Sequence, residues 1–408
     1  MSGFSNSTSK IRSWLLCGIV LVGNACSLYA AEKTPTLSQQ TYKVLQSSQE
    51  LLDSGKTKKA LERLERLVRE TAKSPYEQAI SLQALAHAHI DQGDYRTAIP
   101  LLKRSLDLDA LPAEAQQRSG YNLAQLYLVT EQFKAAIEQL DRWFVSASEP
   151  RPEAYVMLAS AYLQLNQYRQ ALAPLRKAIE LSKTPNESWY QSLLGAYHEL
   201  KDYKQCVRLL QRILRLFPEN ADYWKQLSAM EMMLNNTSQA LAVMELAYLR
   251  GQLTEQRDLL NLAQLYAMRD APYKSARLLQ DEIAKGRIKP SARIWEQLAN
   301  AWHQAREMPR SITALERAVA AGADTELSLR LAQLYLDSRR LQEAEERLLE
   351  ILKQKHSKHE DQAWLLLGIA RYEADSPKQA KQAFSRAVKY DKTRKQAEQW
   401  LAFLKNQE

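Results

Sequence analysis

The chain runs to 408 residues, 45% hydrophobic and 25% charged, with only 11 Gly and 13 Pro. That balance excludes a disordered polypeptide and a Gly- or Pro-periodic fibre. Lys and Arg outnumber Asp and Glu by 56 to 47, a net charge of +9; over this length the excess describes a solvated surface, and nucleic acid is not expected as a partner.

Lys10 and Arg12 precede the apolar run Trp14 to Val22, and smaller residues follow. That order is the charged, apolar and small-residue succession of a secretory signal. Residues 1–30 are expected to be a signal peptide cut after Ala30, with Leu28 in the third position before the cut and residues 31–40 an N-terminal extension. The apolar run spans about 13 Å as a helix, well short of a ~30 Å hydrocarbon core, so a permanent anchor is not expected. Cys26 offers a second reading, lipid attachment after signal removal, but Gly23 stands where a lipoprotein signal wants a Leu-like residue. Cleavage at Ala30 leaves Cys206 as the sole cysteine, so no internal disulfide can form. A lone thiol in an oxidising compartment is safe when buried.

From Thr41 the chain repeats itself. Leu-Ala-Gln-Leu-Tyr occurs at Leu123–Tyr127, Leu262–Tyr266 and Leu331–Tyr335, spaced by 139 and 69 residues, close to four and two units of about 35 residues. Looser copies stand at Leu158–Tyr162, Leu298–Trp302 and Leu367–Arg371. A period of this size means stacked helical hairpins, none able to bury its apolar face alone. The small residue expected on each second helix falls at Ala60, Ala98, Ala136, Ala171, Cys206, Ala240, Ala276, Ser311, Ala344 and Ala380. A small side chain lets crossing helices approach while a bulky neighbour fills the gap. Cys206 thus reads as a small packed hydrophobe and not a reactive thiol.

Turn chemistry agrees. Gly93-Asp94-Tyr95 and Lys201-Asp202-Tyr203 sit between the helices of their units, where Gly or Asp eases a tight reversal. Pro75, Pro112, Pro152, Pro218 and Pro290 fall between units. The reading is all-α: an α-solenoid superhelix of about ten hairpin units over residues 41–393, with residues 394–408 a C-terminal capping helix. The cap places Ala397, Trp400, Leu401 and Leu404 on one face. No span is left for a catalytic domain.

The unit pattern resembles the tetratricopeptide repeat (TPR) family over nearly the whole chain beyond the signal. A narrower resemblance lies in Leu37–Lys43, Leu140–Phe144, Ala247–Leu253, Asp270–Ala276 and Ala301–Glu307. These stretches look like periplasmic TPR proteins of Gram-negative bacteria that accompany TonB–ExbB–ExbD energy-transduction systems. That resemblance implies a periplasmic accessory scaffold in energised outer-membrane uptake, with TonB-, ExbB- or ExbD-type components as partners. It identifies no binding residue.

Little in the chain suggests chemistry. His87 and His89 are two apart on a helix and point away from each other; His356 and His359 lie in the charged linker from Lys353 without a third ligand, while His198 and His303 stand singly on first helices. No Gly-rich phosphate loop, His-Glu-x-x-His or Gly-x-Ser-x-Gly occurs, and Glu345-Glu346 reads as an exposed helix pair. Neither enzyme activity, metal nor cofactor is expected.

The expected contact surface is the stripe of first helices lining a concave groove. One residue past the small position before the Tyr gives Gln49, His87, Gln125, Ser160, Gly195, Ala229, Gln264, Asn300, Gln333 and Ile369. Of these, Gln49, His87, Gln125, Gln264, Asn300 and Gln333 are the candidate groove contacts. Amides suit the backbone of an extended peptide without demanding a charge; an amide ladder merely solvated in an open groove fits equally. Lys225 and Asn300 do not assemble the cationic cluster that clamps chaperone C-termini. Trp143, standing where Ala is usual, either fills a widened gap between units or anchors a partner. Residues 378–408 carry eight cations against three acids, which suits a polar end cap or peripheral contact with an anionic membrane. The functional expectation is an exported protein-binding scaffold; the alternatives are an assembly factor for envelope polymers or cytochromes and a membrane-surface adaptor.

Overall fold

The computed structural model describes residues 36–322, 324–353 and 358–406. The expected signal segment with Cys26 and Ala30, the first half of the 31–40 extension, and His356 lie outside the described residues. Among the described residues there are 21 α-helices and no strand.

The chain divides into two compact units, one ending at Asn166 and one beginning at Gln167. In the first lie α1 (Gln39–Asp53), α2 (Thr57–Glu70), α3 (Pro75–Asp91), α4 (Tyr95–Asp107), α5 (Ala113–Val129), α6 (Phe133–Ser146) and α7 (Pro152–Gln164). The second opens with α8 (Tyr168–Leu181), α9 (Glu187–Glu199), α10 (Tyr203–Leu216), α11 (Ala221–Met233) and α12 (Thr237–Leu249). It continues with α13 (Gln256–Met268), α14 (Pro272–Ala284), α15 (Ala292–Gln304) and α16 (Met308–Ala320). It closes with α17 (Thr325–Asp337), α18 (Leu341–Lys353), α19 (Glu360–Glu373), α20 (Pro377–Ala387) and α21 (Arg394–Lys405). Within each unit consecutive helices pack in chain order, so the all-α reading of paired helices holds.

Helix starts follow the local chemistry. Asp94, Asp202, Ser291 and Asp324 accept the N–H three residues on, and Pro75, Pro152, Pro272 and Pro377 stand at the first turn, where a missing N–H costs nothing. The turn inside each hairpin has one device. Its last residue before the N-cap is left-handed, with φ between 51° and 75°, at Gly55, Gly93, Glu131, Asn166, Lys201, Asn235, Asp270, Arg306, Arg339 and Asp375. At nine of these ten turns, all but that at Asn166, the next residue returns its N–H five positions back, as Gln132 does to Tyr127 O, Ala271 to Tyr266 O and Arg340 to Tyr335 O. This is a Schellman closure, and the Tyr of the repeated pentapeptide supplies the acceptor. Gly or Asp was expected to ease these reversals; Asp202 is instead the cap, and Lys201 takes the strained conformation.

Five residues beyond each left-handed position comes the small residue of the second helix. Ala60, Ala98, Ala136, Ala171, Cys206, Ala240, Ser311, Ala344 and Ala380 are all at 0% exposure. In the seventh hairpin the residue in register is Ser275, not the expected Ala276. Ser275 Oγ donates to Ala263 O at 2.8 Å, as Ser311 Oγ does to Ala299 O at 2.9 Å, each twelve residues back, and Ala276 packs beside it, also fully buried. Pro272 occupies the position held by Tyr95, Phe133, Tyr168 and Tyr203 in other hairpins, and Tyr273 follows one residue later. At the last hairpin the approach is closest: a Cβ on Gly368 would lie 2.4 Å from Phe384 Cε1. The Trp400 ring of α21 stacks on Phe384, centroids 5.4 Å apart and 6° from parallel. Ala397 and Leu404 are buried there, with Leu401 half-buried against the same cluster.

Candidate functional site

The first helices place the expected stripe at the surface or half-buried: Gln49, Gly195, Ala229 and Gln264 are exposed, and His87, Gln125, Ser160, Asn300, Gln333 and Ile369 are half-buried. Two of its amides are spent on their own helices. Gln49 Nε2 donates to Asp53 Oδ1 at 2.9 Å and Gln333 Nε2 to Asp337 Oδ1 at 3.2 Å, both one turn on. Gln125 and Gln264 make no side-chain hydrogen bond among the described residues. At the N-terminal end the stripe becomes titratable: burial lowers the pKa of His87, with Asp91 pulling it back, so the imidazole is neutral at pH 7. Burial raises Asp91, His87 lowers it, and Asp53 on α1 raises it further.

A second row runs parallel to the expected one, three residues earlier. It comprises Asn122, Gln226, Asn261, Gln297 and Arg330, all half-buried or exposed. Three residues is one helical turn less 60°, so each earlier side chain stands beside the stripe residue of its own helix. On α13, α15 and α17 the two rows give three pairs: Asn261 with Gln264, Gln297 with Asn300, and Arg330 with Gln333. The Arg330 guanidinium donates to Asn300 Oδ1, linking α15 to α17. Asn261, Gln264 and Gln297 have no side-chain partner among the described residues. The sequence reading missed this row because it counted one position per hairpin; the i, i+3 spacing of polar amides was there to be found. Asn122 and Gln125 form a like pair on α5 of the first unit; elsewhere Ser160, Gly195, Ala229 and Ile369 interrupt the ladder, and the run of successive pairs in the second unit lies on α13, α15 and α17.

Other expected positions resolve individually. Trp143 packs: its Nε1 donates to Gln117 O at 3.0 Å, and its ring lies 5.5 Å from Tyr121 and 5.2 Å from Phe144. Cys206 is fully buried, and burial first, then Asp202, pushes its thiol up to about 11, far from thiolate. His89 is turned to its own turn, with Nδ1 3.1 Å from Asp94 Oδ2. His198 and His303 are exposed on α9 and α15. The expectation of an exposed Glu345-Glu346 pair is corrected: Glu345 is half-buried and accepts from Arg371 Nε of α19 at 2.9 Å, and only Glu346 is exposed. Among the described residues no group of His, Cys, Asp and Glu converges as a metal site, and no helix is long and apolar enough to cross a membrane.

Tetratricopeptide repeat models match residues 84–143, 152–185 and 329–397, supporting the repeat family read from the hairpins. No curated protein matches the chain. Similar solved structures include a tetratricopeptide repeat protein from Parabacteroides merdae, at 15% identity over 73% of this chain and 100% of that one, TM-score 0.37. YrrB, described as a TPR protein with an unusual peptide-binding site, is 16% identical over 44% of this chain and 89% of its own, TM-score 0.35. MamA from Desulfovibrio magneticus is 22% identical over 44% and 97%, TM-score 0.36.

Proposed function

We propose that the chain is an exported, non-enzymatic scaffold that holds an extended segment of a partner protein against the amide surface of α13, α15 and α17. The observation that carries this reading is the set of unengaged amides, Asn261, Gln264 and Gln297, standing in register beside Asn300, Arg330 and Gln333. Solvent-facing amides offer a donor and an acceptor each, and an extended backbone presents the complementary groups at every residue. Neutral recognition of this kind selects for chain conformation more than for charge.

The compartment we assign is the periplasm, supported by the charged-then-apolar N-terminus, and the partner class is a component of a TonB-type energised transport system, supported by the stretches quoted above. A photocrosslinking residue placed at Gln264 or Gln297 in intact cells, followed by mass-spectrometric identification, tests both parts. TonB-, ExbB- or ExbD-type peptides crosslinked there, and not at exposed Glu346, are the expected result. Synthase or cytochrome-assembly subunits would transfer the protein to the second class of scaffold. Equal crosslinking at Gln264 and Glu346 would remove the amide surface as the binding site.

A further inference from the structure

A cleft of about 490 Å³ opens on the second unit between α8 and α10, with α9 as its floor. Around the α-helix, residues advance about 100° each, so floor residues Tyr190 and Leu193 lie about 140° and 160° from Gly195 of the amide stripe. The cleft is therefore on another face of the same hairpins and owes nothing to the amide surface. Its floor is apolar, with Tyr190 at 1% and Ile179 and Leu193 each at 4% exposure. Its rim carries Arg176, Lys183 and Arg212, none with a carboxylate at ion-pair distance among the described residues. Glu180, the acid of the lining, is 3.5 Å from Lys177.

Elsewhere in the unit three Arg–aromatic contacts carry a carboxylate on the guanidinium, whereas Arg250 over Trp224, Arg317 over Trp295 and Arg386 over Trp364 have none at ion-pair distance among the described residues. Arg287 lies 5.7 Å over Tyr248 and pairs with Glu282; Arg310 lies 4.7 Å over Trp302 and pairs with Glu307; Arg340 lies 4.5 Å over Tyr335 and pairs with Glu316 and Glu343. Arg212 lies 5.5 Å over Tyr190, likewise with no carboxylate at ion-pair distance among the described residues. Along α10, Arg208, Arg212 and Arg215 follow at four and three residues on the exposed face, a spacing at which like charges repel. An anion seated here would relieve that repulsion.

We propose that this cleft binds an acidic segment of a partner protein, with an apolar side chain on the Tyr190–Leu193 floor and carboxylates on Arg176, Lys183 and Arg212. The charges and the recess together select that occupant. A flat membrane surface meets the rim cations but cannot reach a floor that is recessed between two helices. A free phosphate satisfies one or two cations and leaves the apolar floor wet. A peptide with Glu and Leu in alternation supplies both chemistries at one site, and the volume is of the size that takes a few side chains.

The test uses the full chain and a fluorescein-labelled hexapeptide of alternating Glu and Leu, titrated by fluorescence anisotropy at about 50 mM salt, where screening is weak. The wild-type protein is expected to bind it about tenfold more tightly than the Gln/Leu analogue, which can meet only the amide surface. The exposed double substitution R176E/R212E is expected to weaken binding by about tenfold or more, with an unchanged circular-dichroism spectrum. K58E/K59E in the first unit is expected to leave it unchanged. Binding of the Gln/Leu peptide with equal affinity, or of the Glu/Leu peptide to R176E/R212E as to wild type, overturns the proposal. So does loss of binding in Q264A, which would assign the peptide to the amide surface, or full displacement by millimolar inorganic phosphate. Phosphatidylglycerol vesicles that sediment wild type but not R176E/R212E, while the peptide fails to bind, would hand the cleft to lipid and overturn it as well.

Discussion

In the first unit the joints between hairpins are mostly neutral. Gln83 Nε2 donates to Ser119 Oγ at 2.5 Å between α3 and α5, and the rings of Tyr121, Trp143, Phe144 and Tyr155 run from α5 to α7; one carboxylate, Glu77, accepts from the Ser38 N–H. In the second unit the corresponding joints are charged. Lys225 pairs with Asp258, Lys274 with Glu245, Arg371 with Glu345 and Arg340 with Glu316, and cation–π contacts recur from Arg212 to Arg386. One repeat geometry therefore tolerates two kinds of cement: the small residues set the helix approach, and the joint above them is free to be apolar or ionic. The consequence is different sensitivity to acid and salt in the two units.

The largest effect is expected at Glu282, whose carboxylate is fully buried and bonded by Arg287, Lys285 at 2.9 Å and the Tyr248 hydroxyl at 2.7 Å. Burial pushes its pKa up, but the bonds from Arg287, Lys285 and Tyr248 outweigh that and bring it down to about 2. E282A leaves the Tyr248 hydroxyl without its acceptor, while Lys285 and Arg287 remain open to water, and should cost about 1.5–3 kcal/mol, read as a fall in the urea midpoint of the second unit. Because the folded pKa is depressed, the unfolded chain takes up the proton first. The stabilisation is complete above the ordinary carboxylate value of 4.5 and drains away as pH falls towards 2. Wild type should lose stability across that window more steeply than E282A, and a parallel acid dependence would refute the assignment.

Two glycines sharpen the comparison. A methyl on Gly368 meets the Phe384 ring at 2.4–2.8 Å, and that ring is stacked on Trp400, so G368A should overpack and cost about 1–3 kcal/mol. A methyl on Gly120 meets Gln139 Nε2 at 3.0 Å and Trp143 Cδ1 at 3.4 Å. The amide is the end of a flexible side chain, and Ala is the better helix former, so G120A should be neutral or gain about 0.5 kcal/mol. Thermal denaturation of both variants decides it; equal losses would mean that the two crossings are packed alike.

The smallest effect concerns the turns, and here the units should agree. Glu131 in the first and Lys201 in the second hold φ at 59° and 56°, a conformation that strains a Cβ. E131G and K201G should each stabilise by about 0.5–1 kcal/mol, the relief being partly offset by a freer unfolded chain. Destabilisation in urea melts would show that the side chains at these turns contribute more than the strain costs.

Much of the architecture was legible because it repeats. Small residues near a 35-residue spacing mark helix crossings, and Leu-Ala-Gln-Leu-Tyr carries both the crossing and the carbonyl that closes the turn. What the pattern hid has physical reasons. Ser275 was passed over for Ala276 because Ser and Ala are equally small, and only the hydrogen bond to Ala263 O reveals the register. The left-handed turns were attributed to Gly or Asp, yet Lys201, Arg306 and Arg339 adopt them, since the Schellman bonds impose the conformation on whatever residue stands there. Of the contact stripe, the positions were readable but not their state: Gln49 and Gln333 are engaged by carboxylates one turn on, and Arg330 reaching Asn300 depends on how neighbouring hairpins sit. The cleft above Tyr190 was invisible because its cations belong to two second helices and a loop.

The apolar face expected of the capping helix is the one that packs: its indole stacks on Phe384, whose ring lies against Gly368. Glycine offers that ring a surface and no covering of its own. The closing hairpin is thus an incomplete object until residue 400 has been made, so truncation at residue 393 would leave a raw, sticky end. An affinity tag should be appended after Lys405 and should never replace what precedes it.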